Sequence, residues 1–159
     1  MKKFLTIFLI LLVIFISVGC SSGSKREKVA NDFISAYYKQ YEYRDKLIEL
    51  RKNEISNTKV EEYINIIFGE LLTENAKNRL ISNRIIPKWD IIYSNVNNAT
   101  VSNMGFTIAK NEIEGTLSYS ATIIYELLNG EKVEGEISGL IMIIDDKGTY
   151  KVENFKIIQ

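Results

Sequence analysis

The stretch TLSYSATIIYELLNGEKVEGEISGLIMII, Thr116–Ile144, decides the architecture. Apolar and polar residues alternate along it, β-branched and aromatic side chains are frequent, and it is interrupted at Asn129-Gly130. That is the pattern of two long strands, Thr116 to Leu128 and Lys132 to Ile144, folded back as a hairpin. Reading Asn129-Gly130 as a two-residue turn sets Leu128 opposite Glu131, Ile124 opposite Gly135, Thr122 opposite Ile137 and Ser120 opposite Gly139. One face then carries Ile124, Val133, Ile137, Ile141 and Ile143, and the other Leu117, Tyr119, Ile123, Tyr125, Leu140 and Met142. Both faces are partly apolar, and helices can cover only one. The face of Leu117, Tyr119 and Leu140 has the larger side chains and is expected to be covered. The face of Ile124, Val133, Ile137, Ile141 and Ile143 is then expected to stay open, as a surface for a protein partner or a second copy. The expectation hangs on register, because a one-residue slip exchanges the faces.

Working outward, Asp145-Asp146-Lys147-Gly148 reads as a second turn, and Tyr150 to Ile158 as the last strand. Before the hairpin, Thr100 to Ala109 reads as a strand, and Trp89 to Val96 as a strand or extended linker. Gly115, Gly135 and Gly139 interrupt the long strands and predict bulges or bends in a curved sheet. Upstream the period changes. Val29, Phe33, Tyr37, Tyr41 and Ile48 recur at helical spacing. A second helix is predicted from Thr58, with Glu61 completing a capping box and Val60, Tyr63, Ile64, Ile67, Phe68 and Leu71 on its buried stripe. Thr73 reads as the N-cap of a short third helix, and Pro87, the one proline, forbids helix at Ile86. Helices followed by an antiparallel meander predict an α+β domain over 29–159, with N-terminal helices packed on a curved antiparallel sheet.

This order of elements resembles the nuclear-transport-factor-2-like, or cystatin-like, cone fold. The residues that carry the resemblance are Phe33-x-x-x-Tyr37, Leu72-Thr73-Glu74 and Tyr150-x-Val152-x-Asn154-Phe155. The resemblance implies a cone that often encloses a pocket between helix and sheet, used by some members as an enzyme site for small apolar molecules. A binding protein or enzyme of that kind is the runner-up reading, and an accessory subunit of a conjugation-type secretion machine is a further possibility by analogy. Fold likeness by itself carries no function.

The N-terminus has a separate reading. Lys2 and Lys3 precede an apolar run, Phe4 to Val18, followed by Gly19, Cys20 and a serine-rich stretch. The run is shorter than a membrane-spanning helix needs and fits a secretory signal. Ser17-Val18-Gly19-Cys20 resembles the lipobox of bacterial lipoproteins. The resemblance implies cleavage after residue 19, acylation of Cys20 and a flexible tether over 20–28. It places the domain outside the cytoplasm on the cell membrane. The abundance of Ile, Asn and Lys points to an AT-rich, low-GC Gram-positive source.

Composition removes much chemistry. Of 159 residues none is His and one is Cys, so there is no His relay, no His-ligated metal and no disulfide within the chain. Twenty basic residues balance twenty acidic ones, which argues against a nucleic-acid partner. No cofactor is expected, and no enzyme, because no catalytic motif is present. Asp145-Asp146 lacks the further ligands of a calcium loop. The residues read as a candidate ligand site are Tyr37, Arg44, Trp89, Asp90, Tyr93 and Tyr119. They combine aromatic bodies, one acid able to act as a base if buried, and the guanidinium of Arg44, which with Arg51 falls on the apolar stripe of the first helix and could hold an anion. Tyr38 and Tyr43 lie off the helical stripe and read as contact residues.

Overall fold

The structure is a computed structural model that describes residues 21–52, 55–83, 85–110 and 112–158. The stretch 1–20, read as a secretory signal ending at Cys20, lies outside the described residues. Helix α1, Ser21–Lys39, runs into a 3-10 turn, Gln40–Tyr43, and then α2, Arg44–Lys52. Helices α3, Asn57–Phe68, and α4, Glu74–Ser82, follow. A 3-10 segment, Trp89–Tyr93, leads into strands β1, Val96–Ile108, β2, Thr116–Leu127, β3, Lys132–Asp146, and β4, Thr149–Ile158. The strands form one antiparallel meander in the order β1-β2-β3-β4. The fold is α+β, with N-terminal helices on a curved sheet. No helix among the described residues is long and apolar enough to cross a membrane.

Three local readings shift at the helices. α1 begins at Ser21, so the stretch expected as a tether is helical over Ser21 to Lys28. The buried stripe of α1 is Ala30, Phe33, Ile34 and Tyr38, which places Tyr38 in the core at 1% exposure rather than at a contact surface. The cap of α3 is Ser56, whose hydroxyl accepts from the Lys59 amide at 3.4 Å, and not Thr58. Thr73 caps α4 as predicted, accepting from the Ala76 amide at 3.0 Å.

The hairpin register is the main correction. Gly130 N–H donates to Leu127 O at 2.9 Å and Leu127 N–H to Glu131 O at 2.8 Å. Gly130 has φ +83, and Asn129 is not among the residues with positive φ. The loop is therefore three residues, Leu128-Asn129-Gly130, a type I turn closed by a left-handed glycine. Two residues at positive φ would have given the mirror-image turn instead. The extra loop residue slides β3 by one: Glu126 faces Lys132, Ala121 faces Ile137 and Leu117 faces Ile141. Leu117, Tyr119, Ile123, Ile137, Ile141 and Ile143 thus share one face, and all six are buried under the helices. Ile137, Ile141 and Ile143 are core, so the expected open partner surface does not exist. Val133 remains exposed at the far end of the hairpin, and Ile124 lies half-buried on the opposite face. That outer face carries Ser118, Ser120, Thr122, Glu134, Glu136 and Ser138, as a one-sided sheet requires.

Gly135 and Gly139 mark no bulge. β2 and β3 pair without irregularity through both, whereas the register breaks at Val96/Asn98, Ser102/Gly105 and Met142/Ile143. A Cβ at Gly139 would collide with the Lys156 carbonyl oxygen and stand 2.8 Å from the Tyr119 hydroxyl. A Cβ at Gly135 would sit 3.3 Å from the Tyr125 ring. The glycines make room for tyrosine rings laid across β3.

Candidate functional site

The 3-10 segment Trp89–Tyr93 is too short to hold itself in place, and three groups fix it. Ile91, fully buried, anchors it to the core. Gln40, also fully buried, donates from Nε2 to Tyr37 O at 2.9 Å, and its Oε1 accepts from Lys88 N–H at 3.4 Å and Tyr63 Oη at 3.5 Å. A buried amide is costly unless its donors and acceptors are used, so Gln40 ties α1 to the segment's entry. Arg44 fixes the exit. Its Nη2 donates to Ser94 O and Ser94 Oγ, each at 3.0 Å, and to Val96 O. Its Nε is buried with no partner. Arg44 is thereby committed to the backbone that opens β1.

With Ile91 pointing in, Asp90 and Tyr93 point out, and Trp89 lies half-buried against the core. Tyr93 is 71% exposed, and the Arg51 guanidinium lies 5.0 Å from its ring centroid. Asp90 is exposed and 3.6 Å from Lys88 Nζ. Arg51, Ile55, Trp89, Asp90 and Tyr93 line a hollow of about 370 Å³. It shares Ile55 and Trp89 with a neighbouring groove of about 230 Å³ walled by Val60, Ile81, Ile86 and Pro87. The corner combines an aromatic pair, a guanidinium and aliphatic walls, the composition of residues that dominate protein contacts.

Of the six residues read as a ligand site, Trp89, Asp90 and Tyr93 meet at this surface corner, with Arg44 beneath it. They do not surround an interior cavity. Asp90 is exposed, not a desolvated acid. Tyr37 is joined to the corner through Lys88, whose Nζ lies 5.4 Å from the Tyr37 ring centroid. Tyr119 belongs to the core, where its hydroxyl donates to Lys156 O at 3.3 Å. Gln40 and Ile55 were missing from the expected site. Arg51 stood on the helical stripe near Arg44, but nothing in the sequence marks Gln40 as buried.

The space between α1 and the sheet is filled by rings. Phe33 stacks on Phe68 at 5.1 Å and meets Phe155 at 4.7 Å between centroids. Tyr125 receives the edges of Tyr38 at 6.4 Å and Tyr41 at 6.1 Å. Burial, reinforced by the Asp90 carboxylate, pushes the Tyr37 hydroxyl up to about 12. Burial, with Tyr125 second, does the same for Tyr41, up to about 12. Tyr119, Tyr63 and Tyr125 are raised chiefly by burial as well. These hydroxyls stay protonated near neutral pH and supply packing and hydrogen bonds, not bases.

A pH dependence follows. The unfolded chain ionises tyrosine near 10.0 and the fold holds Tyr37 and Tyr41 neutral to about 12. Above the unfolded value the native state binds more protons, so stability falls as pH rises. The domain should keep its full tyrosine contribution below pH 10 and lose it between pH 10 and 12. Thermal melts across that range, with tyrosinate absorbance as a second readout, check this. Tyrosines that all ionise at their ordinary value before unfolding would contradict the packing.

No family model matches the chain, and no curated protein matches it significantly in sequence.

Proposed function

We propose that the chain is a bacterial surface lipoprotein, held on the membrane through Cys20, whose domain binds another protein without catalysing a reaction. The observation that carries the binding reading is the surface corner of exposed Arg51 and Tyr93 beside half-buried Trp89, where the 3-10 segment is fixed from below by Gln40 and Arg44. A contact surface held rigid before binding loses little entropy on association. The alternative of a small apolar ligand inside the domain is less favoured, because aromatic rings occupy the helix and sheet interface where it would sit.

Two experiments test the two halves. Cys20→Ala should release the protein from the membrane or leave it with its signal uncut. An unmodified thiol at Cys20 in the mature membrane form, read by mass spectrometry, would sink the anchoring claim. A photo-crosslinking residue in place of Tyr93 should yield one discrete adduct in the native cell. Adding Trp89→Ala should reduce that adduct about tenfold, as expected for loss of one aromatic anchor. An adduct pattern unchanged by Trp89→Ala would remove the corner from the reading.

A further inference from the structure

Three segments of chain gather at one end of the molecule. Arg26, near the start of α1, lies with its guanidinium 5.3 Å from the Tyr150 ring centroid, so α1 starts beside the turn that joins β3 to β4. The loop from β1 to β2 leaves the sheet at the same end. Ile143 N–H donates to Gly115 O at 3.0 Å, and Ile143 is two residues from the pair Asp145 and Tyr150. The other end holds the hairpin of β2 and β3. There Tyr125 receives the rings of Tyr38 and Tyr41 from the far end of α1 and the turn after it, and Leu128 N–H donates to Asn95 O at 2.8 Å. The Trp89 and Tyr93 corner belongs to that second end, because Arg44 ties its exit to Ser94 and Val96 at the start of β1. About 35–40 Å of β1, Val96–Ile108, separates the two ends.

The first end carries exposed apolar surface. Ile108 is 81% exposed and Ile113 67%, and among the described residues no large hydrophobic side chain is more exposed than Ile108. Ile108 pairs with Leu117, which is buried under the helices, so it lies on the inner face of the sheet but beyond their cover. Ile113 is held in place. Its carbonyl accepts from Thr116 N–H at 3.1 Å, Gly115 closes the turn at φ +89, and Gly115 lies so close to β3 that a Cβ there would strike the Ile143 carbonyl oxygen. A single exposed isoleucine needs no explanation. Two of them, on and beside a loop pinned to the sheet, mark a contact surface.

We propose that this end of the domain rests on the lipid bilayer, with Ile108 and Ile113 entering the interface and the Trp89 and Tyr93 corner turned away from it, toward a partner. This rests on the acylation of Cys20 proposed above. α1 begins at Ser21, the residue after Cys20, so no slack chain separates the lipid from the domain. Arg26, which packs on Tyr150, stands only about 7 Å along the helix axis from Ser21. The anchor therefore brings the bilayer to this end and to no other, which makes lipid the occupant of the exposed surface. A single anchor sets the height of the domain and leaves it free to tilt. The two isoleucines set the tilt by leaving water. Charge does not drive the contact, since Lys110 shares the loop with Glu112 and Glu114, and Lys25 shares the helix with Glu27.

The test uses the mature lipoprotein, purified from membranes and reconstituted in phosphatidylcholine vesicles with or without lipid brominated on its acyl chains. Acylation blocks the chain's one cysteine, so Ile113→Cys supplies the only free thiol for an environment-sensitive fluorophore. Its emission should shift to the blue and be quenched by the brominated lipid. The same fluorophore at Leu128→Cys, an exposed apolar position at the other end, should stay water-like and unquenched. Ile108→Asp added to Ile113→Cys should reduce the quenching while the acyl chains keep the protein on the vesicle. Equal emission from the two labelled positions, or quenching untouched by Ile108→Asp, overturns the orientation and leaves the anchor standing. Quenching that appears only when phosphatidylglycerol is added makes the contact electrostatic and overturns the apolar one. A blue shift without quenching, growing with protein density on the vesicle, makes the occupant a second copy and overturns the bilayer. Two reactive thiols in the labelled protein show a free Cys20, and the anchor and the orientation then fall together.

Discussion

Replacing Ile137 and Ile141 together with lysine should abolish the fold, and the purified double variant should show no cooperative thermal transition. Ile141 is fully buried between Leu117 on β2 and Phe155 on β4, and Ile137 is 4% exposed opposite Ala121. Each substitution forfeits about 1.5–3 kcal/mol of apolar burial and asks a cation to leave water with no acid beside it. A buried lysine escapes by losing its proton, which costs further free energy at neutral pH. A domain of this size is stable by only about 5–15 kcal/mol, so two such changes exceed what the fold can absorb. Ser138→Lys, one residue from Ile137 but on the outer face, should melt close to wild type and serves as the control. A double variant that keeps its near-ultraviolet circular dichroism while losing self-association would restore the two-residue turn and its exchanged faces.

The hairpin itself was legible because alternation and Asn129-Gly130 do not depend on tertiary context. The register was not, because Asn-Gly serves two loops. In the observed one, Asn129 stays outside the left-handed region and its Oδ1 accepts from Glu131 N–H at 3.1 Å, so only Gly130 needs positive φ. A signal was available all the same. In the two-residue register both faces mix large apolar side chains with serines, which suits no one-sided sheet. In the three-residue register Leu117, Tyr119, Ile123, Ile137, Ile141 and Ile143 fall together and leave the hydroxyl and carboxylate residues outside. Hydrophobic pattern outranks turn preference when the two disagree.

The candidate site divides in the same way. Trp89 and Tyr93 stood out as large aromatics after the only proline, and they do meet. Asp90 was a candidate base on the condition that it was buried, and a 3-10 segment turns it outward once Ile91 takes the core position. Tyr38 was set outside because the stripe was drawn through Val29, Tyr37 and Ile48, one residue from the buried line through Ala30, Ile34 and Tyr38. Gln40 shows the limit. Its burial arises where α1 tightens into a 3-10 turn, and its partners are Tyr63 and the Lys88 backbone, far along the chain.

Gly139→Ala should be the most damaging of the alanine substitutions at Gly105, Gly135 and Gly139. β3 runs between β2 and β4 at this point, with Tyr119 opposite on one side and Ile157 on the other. The added methyl would strike the Lys156 carbonyl oxygen, a backbone atom that cannot move without opening the β4 ladder, and would crowd the Tyr119 ring at 2.9 Å. Overpacking a core typically costs about 1–3 kcal/mol when side chains can shift, and a backbone obstruction belongs at or beyond the top of that range. A loss of about 3 kcal/mol lowers the melting temperature of a domain this size by about 10 °C. Gly135→Ala meets only the edge of the Tyr125 ring at 3.3 Å, and a few tenths of an ångström of ring movement relieve it. Gly105→Ala finds one atom, Ser120 Oγ at 3.7 Å, so it should be neutral or slightly stabilising, as alanine restricts the unfolded chain more than glycine. The expected melting order is Gly105→Ala highest, Gly135→Ala intermediate and Gly139→Ala lowest by a wide margin. Tyr119→Phe removes the hydroxyl but not the obstruction by Lys156 O, so combining it with Gly139→Ala should recover little. Equal melting of Gly139→Ala and Gly105→Ala would mean that β4 does not lie against β3 at Lys156.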